Sequence, residues 1–424
     1  MGRELRRKIG LSSLTSYGVG MILGAGIYAL IGSAAGVAGN SVWMSFLLGA
    51  LISSFTGLSY AELSSMIPKA AAEYYYAKEA FGGNLVPFLI GWIIIFTEAV
   101  ATSTVALGFG GYFNGLFGAP MVLTSLILIV LLSLLNFLGI EESSRLNIIF
   151  TIIEASGLLL IVIIGIPYLG KVDYFEASQG LQGILKASTL IFFAYLGFED
   201  IVNLAEESKN PERNIPKALI LSVIITALLY VLVAVTAVSL ADWQELGLST
   251  SPLAYAASRS LGQSAFLSMS AIALFATSNT VLILLIVTSR MIYGMAKDGS
   301  LPGRLSKVSG RGTPWVAILA VMVISASFVL LRNIRFVAEI TNFGTFVIFA
   351  SVNLSAIWLR YRKPEWKRPF KTPVNIANIP IIPLLGFLSC GLMVTQFQIE
   401  AIAISVLIIA IGIVTQKILT KTRT

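Results

Sequence analysis

The chain has 424 residues, 56% of them hydrophobic and only 12% charged, with a formal net charge of +8. Soluble domains carry about a quarter charged residues, so this composition points to a polytopic membrane protein rather than a string of soluble domains. With one cysteine (Cys390) and no histidine, the sequence offers no disulfide framework, no cysteine- or histidine-ligated metal site, no imidazole relay and no Ser/His or Cys/His catalytic pair.

A spanning helix needs about 20 apolar residues. About twelve such stretches follow in chain order, near 12–37, 41–67, 85–113, 119–139, 147–168, 181–206, 216–240, 264–295, 314–332, 336–359, 376–397 and 400–417. The basic N-terminus, with Arg3, Arg6, Arg7 and Lys8, precedes an apolar run too long for a signal peptide core, so the first span is expected to stay uncleaved. That span contains Gly18-Val-Gly-Met-Ile-Leu-Gly-Ala-Gly-Ile-Tyr28, with four glycines within nine residues. Each glycine costs a helix roughly 1 kcal/mol relative to alanine, and an interrupted helix survives in lipid only where it packs against protein or lines a cavity. A break here would leave N–H groups at the start of a second half-helix, a good place for a carboxylate.

Span 3 carries Glu98 and span 5 carries Glu154 in an otherwise apolar run; an ionisable group inside a span marks function by default. Span 6 reads Thr189-Leu-Ile-Phe-Phe-Ala-Tyr-Leu-Gly-Phe-Glu-Asp200, an apolar helix that meets Gly197 and then two acids before its loop. Spans 1 and 6 open two five-helix groups separated by an odd number of spans, so the second group would be inverted. Interrupted segments in corresponding positions of two halves point to a transporter's midplane site. The loop near 241–262 is expected to hold a short external helix. Glu199 and Asp200 read either as partners of Lys or Arg at a cytoplasmic gate or as a solvated helix end. Glu339 reads as interfacial, and Tyr74, Tyr75 and Tyr76 as membrane-interface anchors on a surface helix.

Lys and Arg divide about 24 to 4 between alternate loops, counting residues such as Arg213, Arg304 and Arg368 on one side and Lys171, Arg259, Arg332 and Arg335 on the other. That imbalance places both termini in the cytoplasm of a multi-pass cell-membrane protein. It makes the basic charge a topology device and a contact for anionic lipids, not a nucleic-acid patch.

Several motifs then carry a resemblance. The element Gly-x-Gly-x-x-x-Gly-x-Gly-Ile-Tyr ends at Tyr28; Phe192-Phe-Ala-Tyr-Leu-Gly-Phe198 is followed by Glu206-Glu-Ser-Lys-Asn-Pro-Glu-Arg-Asn-Ile-Pro-Lys-Ala-Leu219. Further on come Ser289-Arg-Met-Ile-Tyr-Gly-Met-Ala-Lys-Asp-Gly-Ser-Leu-Pro302, Thr341-Asn-Phe-Gly-Thr345 and Arg368-Pro-Phe-Lys-Thr-Pro373. Spread in order over nearly the whole chain, they resemble the amino acid–polyamine–organocation (APC) transporter superfamily, in particular its cationic-amino-acid-transporter-like branch. The resemblance implies an all-α membrane protein of about twelve transmembrane helices. Its core would be a five-plus-five inverted repeat of the leucine-transporter type with discontinuous helices 1 and 6, working by alternating access. Within one transmembrane domain (1–424), the repeats would be 12–168 and 181–359, and 376–417 would add two helices.

A free amino acid presents a carboxylate and an ammonium, and two broken helices can serve both. The N–H groups of Gly24, Ala25, Gly26 and Ile27 would take the carboxylate. The carbonyls of Met21, Ile22, Phe193, Ala194 and Leu196 would take the ammonium, and the resemblance places ligand contacts at these positions. Phe193 and Tyr195 are expected to form an aromatic gate. An uncharged pocket rimmed by Phe193, Tyr195 and Phe198 favours neutral amino acids, while Glu98 would either select a cationic side chain or make an interhelical hydrogen bond. In some proton-coupled relatives a lysine stands at the position of Glu154, bridging helix 1 to helix 8 where sodium-coupled relatives bind Na⁺. Glu154 reverses that charge. It would therefore carry a proton, or else join the carbonyls of Gly20 and Leu23 and the hydroxyls of Thr277 and Ser278 around Na⁺.

The expected activity is secondary active import of amino acids coupled to H⁺, with Na⁺ coupling, exchange, or cationic amino acid or polyamine transport as alternatives. The expected partners are the amino acid, H⁺ (or Na⁺) and membrane lipids; no cofactor or bound metal is expected. A channel would need a continuous polar pore, which the spans lack. An enzyme would need a nucleophile–base pair or metal ligands, which the composition denies.

Overall fold

A computed structural model describes residues 9–69, 72–139, 144–376 and 379–421, so the N-terminal cluster Arg3, Arg6, Arg7 and Lys8 lies outside the described residues. The glycine-rich first stretch forms two helices, α1 (Leu11–Ile22) and α2 (Gly26–Ala38), followed by α3 (Val42–Met66), α4 (Ala72–Phe81), α5 (Leu85–Phe117), α6 (Met121–Leu138) and α7 (Ser144–Gly165). Next, α8 (Gly180–Ile191) runs into 3-10 segments at Phe192–Tyr195 and Phe198–Glu207, ahead of α9 (Pro211–Leu240), α10 (Trp243–Leu248) and α11 (Pro252–Lys297). The chain closes with α12 (Trp315–Val329), α13 (Ile334–Arg362), the hairpin β1–β2 (Asn375–Ile376 with Ile379–Pro380), α14 (Ile381–Val394) and α15 (Ile399–Lys421).

Helices fall on every expected apolar stretch. Nine helical stretches among the described residues are long and apolar enough to cross a membrane, α2 and α3 together counting as one, and α12 and α14 are shorter apolar helices. Large apolar side chains point outward from several of them: Leu131 (54% exposed), Leu228 (64%), Val323 (59%) and Leu407 (59%). An apolar outer belt of this kind is what lipid covers. Helix α5 packs against α6, α11, α12 and α13 at the centre of the bundle. Boundaries differ most at three helix starts, those of α9, α14 and α11, the last beginning at Pro252. Helix α9 begins at Pro211, whose fixed φ suits a first helical turn, and α14 begins only at Ile381, because Pro380 follows extended backbone. The loop near 241–262 holds α10 and the first turns of α11, which kinks at Gly262.

The breaks are positioned by α2, which runs antiparallel to α8, and by α3, which runs parallel to it. At one end Val37 and Ser41 accept or donate bonds to Ser178 and Tyr174, while toward the middle Gly26 abuts Ala194 and Gly49 abuts Tyr195. Helix α10 covers α2 where Gly32 and Gly36 let the backbone of Leu246 and Gly247 approach.

Two buried carboxylates fix the ends of the bundle. Glu339, in the second turn of α13, is 2% exposed. It accepts hydrogen bonds from the Gln398 N–H (2.9 Å) and Arg335 Nε (3.3 Å), and so caps the start of α15, where a negative charge complements the helix dipole. Glu62, 1% exposed at the end of α3, accepts from Arg360 Nε (2.9 Å) and Nη2 (2.5 Å) and from the Thr372 N–H (2.8 Å), with Arg368 Nε 3.5 Å away. The cluster ties α3 to α13 and to the loop before β1. Removing one partner of such a pair strands a buried charge, which costs about 3–5 kcal/mol. Arg360→Met is therefore expected to lower the melting temperature of the detergent-solubilised protein by several degrees. Arg360→Lys, which keeps the charge without the fork, should fall between it and wild type. An unchanged melting curve for both would show the cluster to be dispensable.

Tyr76 departs from expectation. It is fully buried, edge-on to Tyr60 at 6.2 Å, while Tyr74 and Tyr75 remain half-buried on α4 beneath Lys78 and Lys69.

Candidate functional site

The last bond of α1 runs from the Leu23 N–H to Val19 O (2.9 Å), and the first of α2 from the Ala29 N–H to Ala25 O (3.0 Å). Between them Gly24 and Ala25 are unwound. On the other chain segment α8 tightens into Phe192–Tyr195, Leu196 is extended and Gly197 adopts φ 107°. Only glycine takes that backbone cheaply, and a Cβ there would also sit 2.9 Å from Met21 O. A Cβ on Gly26 would lie 2.7 Å from Ala194 Cα. The two interruptions thus touch each other across paired close approaches, Gly26 on Ala194 and Gly197 on Met21.

Side chains from three other helices take up part of the freed backbone. Tyr230 of α9, fully buried, donates its hydroxyl to Ile22 O (2.5 Å) and Ala194 O (3.1 Å), one group serving both breaks. Thr280 Oγ1 of α11 accepts from the Ala25 N–H (3.2 Å). Asn342 of α13 donates to Thr189 O (2.6 Å), relieving the tightened end of α8. The N–H groups of Gly24, Gly26 and Ile27 have no main-chain acceptor among the described residues. Of the carbonyls expected to face an ammonium, Phe193 O accepts from the Leu196 N–H (3.3 Å), and those of Ile22 and Ala194 already hold Tyr230. Composition gave no hint of Tyr230, Thr280 or Asn342, because each lies on a different span from the group it serves.

Tyr230→Phe keeps the ring and leaves two buried carbonyls short of a donor, at about 1–3 kcal/mol. A fall in the melting temperature of the purified protein is expected; wild-type stability would mean that other donors replace the hydroxyl.

Tyr195 is fully buried, donates to Phe46 O (2.9 Å) and stands edge-on to Tyr230 at 5.4 Å, so it packs α3 against α9. Phe193 is 7% exposed; Phe198 is fully buried between Tyr60 and Phe349.

Glu154 of α7, 2% exposed, accepts from Asn279 Nδ2 of α11 (3.2 Å), and its backbone carbonyl accepts from the Tyr28 hydroxyl of α2 (2.5 Å). Gly20 of α1 lies against α7, where a Cβ would come 2.6 Å from Thr151 Oγ1. Thr277 and Ser278 turn their hydroxyls back onto their own helix, donating to Ala273 O and Leu274 O at 2.7 Å each. The residues of α11 that reach across are therefore their immediate successors, Asn279 and Thr280.

Toward the far side of the second break, Glu199 accepts from the Gly197 N–H (3.0 Å) and Asp200 from Asn203 Nδ2 (3.4 Å). Neither pairs with Lys or Arg among the described residues. Glu98, half-buried on α5, is in electrostatic contact with Asp200 and Glu73. Glu73, on the surface helix α4, accepts from the Tyr60 hydroxyl (3.0 Å), and burial raises its carboxyl above the usual carboxylate range.

Residues 9–416 match the family described as amino acid permease. The chain is 30% identical to the branched-chain amino acid permease BcaP of Bacillus subtilis, with 97% of this chain and 92% of the relative covered. It is 29% identical to a methylthioribose transporter of the same organism, covering 91% and 87%. It is also 30% identical to the vacuolar cationic amino acid transporter 4 of Arabidopsis thaliana, covering 85% and 64%.

Proposed function

Because the chain belongs to the amino acid permease family, transporters of the APC superfamily and not enzymes, we propose that it imports neutral L-amino acids by alternating access, driven by protons through Glu154. The observation that carries this is the meeting of two interrupted helices, Gly26 against Ala194 and Gly197 against Met21. A zwitterion fits there: its carboxylate on the N–H groups of Gly24, Gly26 and Ile27 at the positive start of α2, its ammonium on the carbonyls that Tyr230 holds in its absence. Ammonium and hydroxyl are both donors, so one replaces the other without leaving an acceptor bare.

The scaffold is taken as two inverted five-helix repeats, 12–168 and 181–359, plus two C-terminal helices, in the cell membrane with both termini cytoplasmic. The coupling ion is taken as H⁺ rather than Na⁺. Glu154 supports that choice as a buried carboxyl group within a span, able to take up and release a proton.

The test is uptake by the purified protein in liposomes, with pH and Na⁺ gradients imposed separately. The panel holds leucine, alanine, lysine and putrescine, and methylthioribose, since one relative is named for it. Leucine or alanine accumulated on a pH gradient alone is the expected result. Uptake of methylthioribose without any amino acid would overturn the zwitterion site, and dependence on Na⁺ would overturn the coupling.

A further inference from the structure

Glu154 lies one helix away from the break it is proposed to control, and two consecutive residues of α11 span that distance. Asn279, 8% exposed, donates Nδ2 to Glu154 Oε1 at 3.2 Å. Its other amide atom, Oδ1, is buried with no hydrogen-bond partner among the described residues. The next residue, Thr280, accepts the Ala25 N–H at 3.2 Å and donates to Ala276 O at 3.1 Å. A Cβ on Gly24 would lie 3.2 Å from the same Thr280 hydroxyl, so this turn of α11 rests directly on the unwound backbone.

An orphaned buried acceptor is costly, and its place beside a carboxyl group gives it a use. An ionised carboxylate only accepts; a protonated one can also donate. A primary amide serves both states by turning about its terminal bond, offering Nδ2 to the carboxylate and Oδ1 to the acid. We propose that Asn279 is the positioning residue that registers the protonation of Glu154, and that Thr280 passes the resulting movement to the Gly24–Ala25 break. Asn279 touches neither solute nor break; it acts through its neighbour. This rests on Glu154 being the proton-carrying group.

Few other groups compete for that role. Among the described residues, Tyr28 of α2 and Tyr230 of α9 are titratable side chains in electrostatic contact with Glu154. Helix α1 contributes no charged residue, only Tyr17, and the charged residues of α9 (Glu212, Arg213, Lys217) lie in its first two turns. Those of α11 (Arg259, Arg290, Lys297) lie at least eleven positions from Asn279. Tyr168, in the turn after α7, is fourteen positions from Glu154.

The experiment uses the full chain in liposomes and the amino acid that wild-type protein takes up best from an equimolar set of the standard ones. Uptake is followed from pH 5 to 8 for wild type, Asn279→Leu, Asn279→Ser, Thr280→Val, Thr280→Ser and Glu154→Gln. Losing the amide removes a charge-assisted bond from the carboxylate and only a neutral one from the acid, so proton-dependent uptake persists to higher pH. The half-maximal pH should rise by about one unit in Asn279→Leu. Thr280→Val should leave that midpoint in place and slow counterflow about fivefold, with Thr280→Ser restoring the rate. If Asn279→Leu does not exchange solute, Asn279→Ser, whose hydroxyl is too short to reach the carboxyl, is judged on the same midpoint. A wild-type midpoint in the Asn279 variant, with pH dependence lost in Glu154→Gln, overturns the role of Asn279 and leaves that of Glu154 standing. Persistent pH dependence in Glu154→Gln overturns both.

Discussion

Liposomes carrying Glu154→Gln protein are expected to show no accumulation of amino acid on an imposed pH gradient, while counterflow of labelled against unlabelled solute continues. Glutamine is nearly isosteric and its carbonyl still accepts from Asn279 Nδ2, so the contact at 3.2 Å need not be lost and the fold has little reason to change. What disappears is the protonatable group proposed to link the proton gradient to the solute. The expected size is therefore complete: concentration falls to the equilibrative level and the pH profile flattens. Glu154 is the carboxylate to test first because it is 2% exposed, and a charge held inside a membrane costs at least about 2.5–3.5 kcal/mol unless it is used. Accumulation that still follows the gradient would remove Glu154 from the mechanism.

The second large effect is expected at Gly26. A methyl group there meets Ala194 Cα at 2.7 Å and Ala194 Cβ at 3.2 Å, and main chain cannot turn aside as a side chain can. The two interruptions must separate, and overpacking of this kind costs about 1–3 kcal/mol. Gly26→Ala should lower uptake about tenfold or more, with a drop in melting temperature. Gly24→Ala is the internal comparison. Its Cβ comes tighter than ordinary contact only with the Thr280 hydroxyl, at 3.2 Å, with Met21 O at 3.7 Å, so a loss of a few-fold is expected. Equal activity of Gly26→Ala and wild type would mean that the close approach of the two helices has no part in transport.

Much of this was legible from residue order alone. Glycine spacing announced the gap between α1 and α2, and Gly197 followed by two acids announced the end of regular helix after α8, because both signals are local. The partners were not legible, since a side chain that closes a gap 208 positions away leaves no mark on the sequence around the gap. Thr277 and Ser278 illustrate the cost of that blindness. Their hydroxyls donate to carbonyls of their own helix, and the residues of that turn seen to bond to α7 and to the break are their neighbours Asn279 and Thr280. Tyr76 shows the same limit: a tyrosine on a surface helix is buried where α3 packs against it.

The hydroxyl of Tyr230, shared between Ile22 O and Ala194 O, bears on what the protein can do with no cargo aboard. A vacant carrier must reverse its orientation before it can collect a second molecule, and bare peptide oxygens in hydrocarbon would oppose that return stroke. In the proposed mechanism the phenol would take the place of the ammonium on those two oxygens and ease that return. On the proposed mechanism such a stand-in would favour net uptake, where an obligate swapper would need its unloaded form to stall.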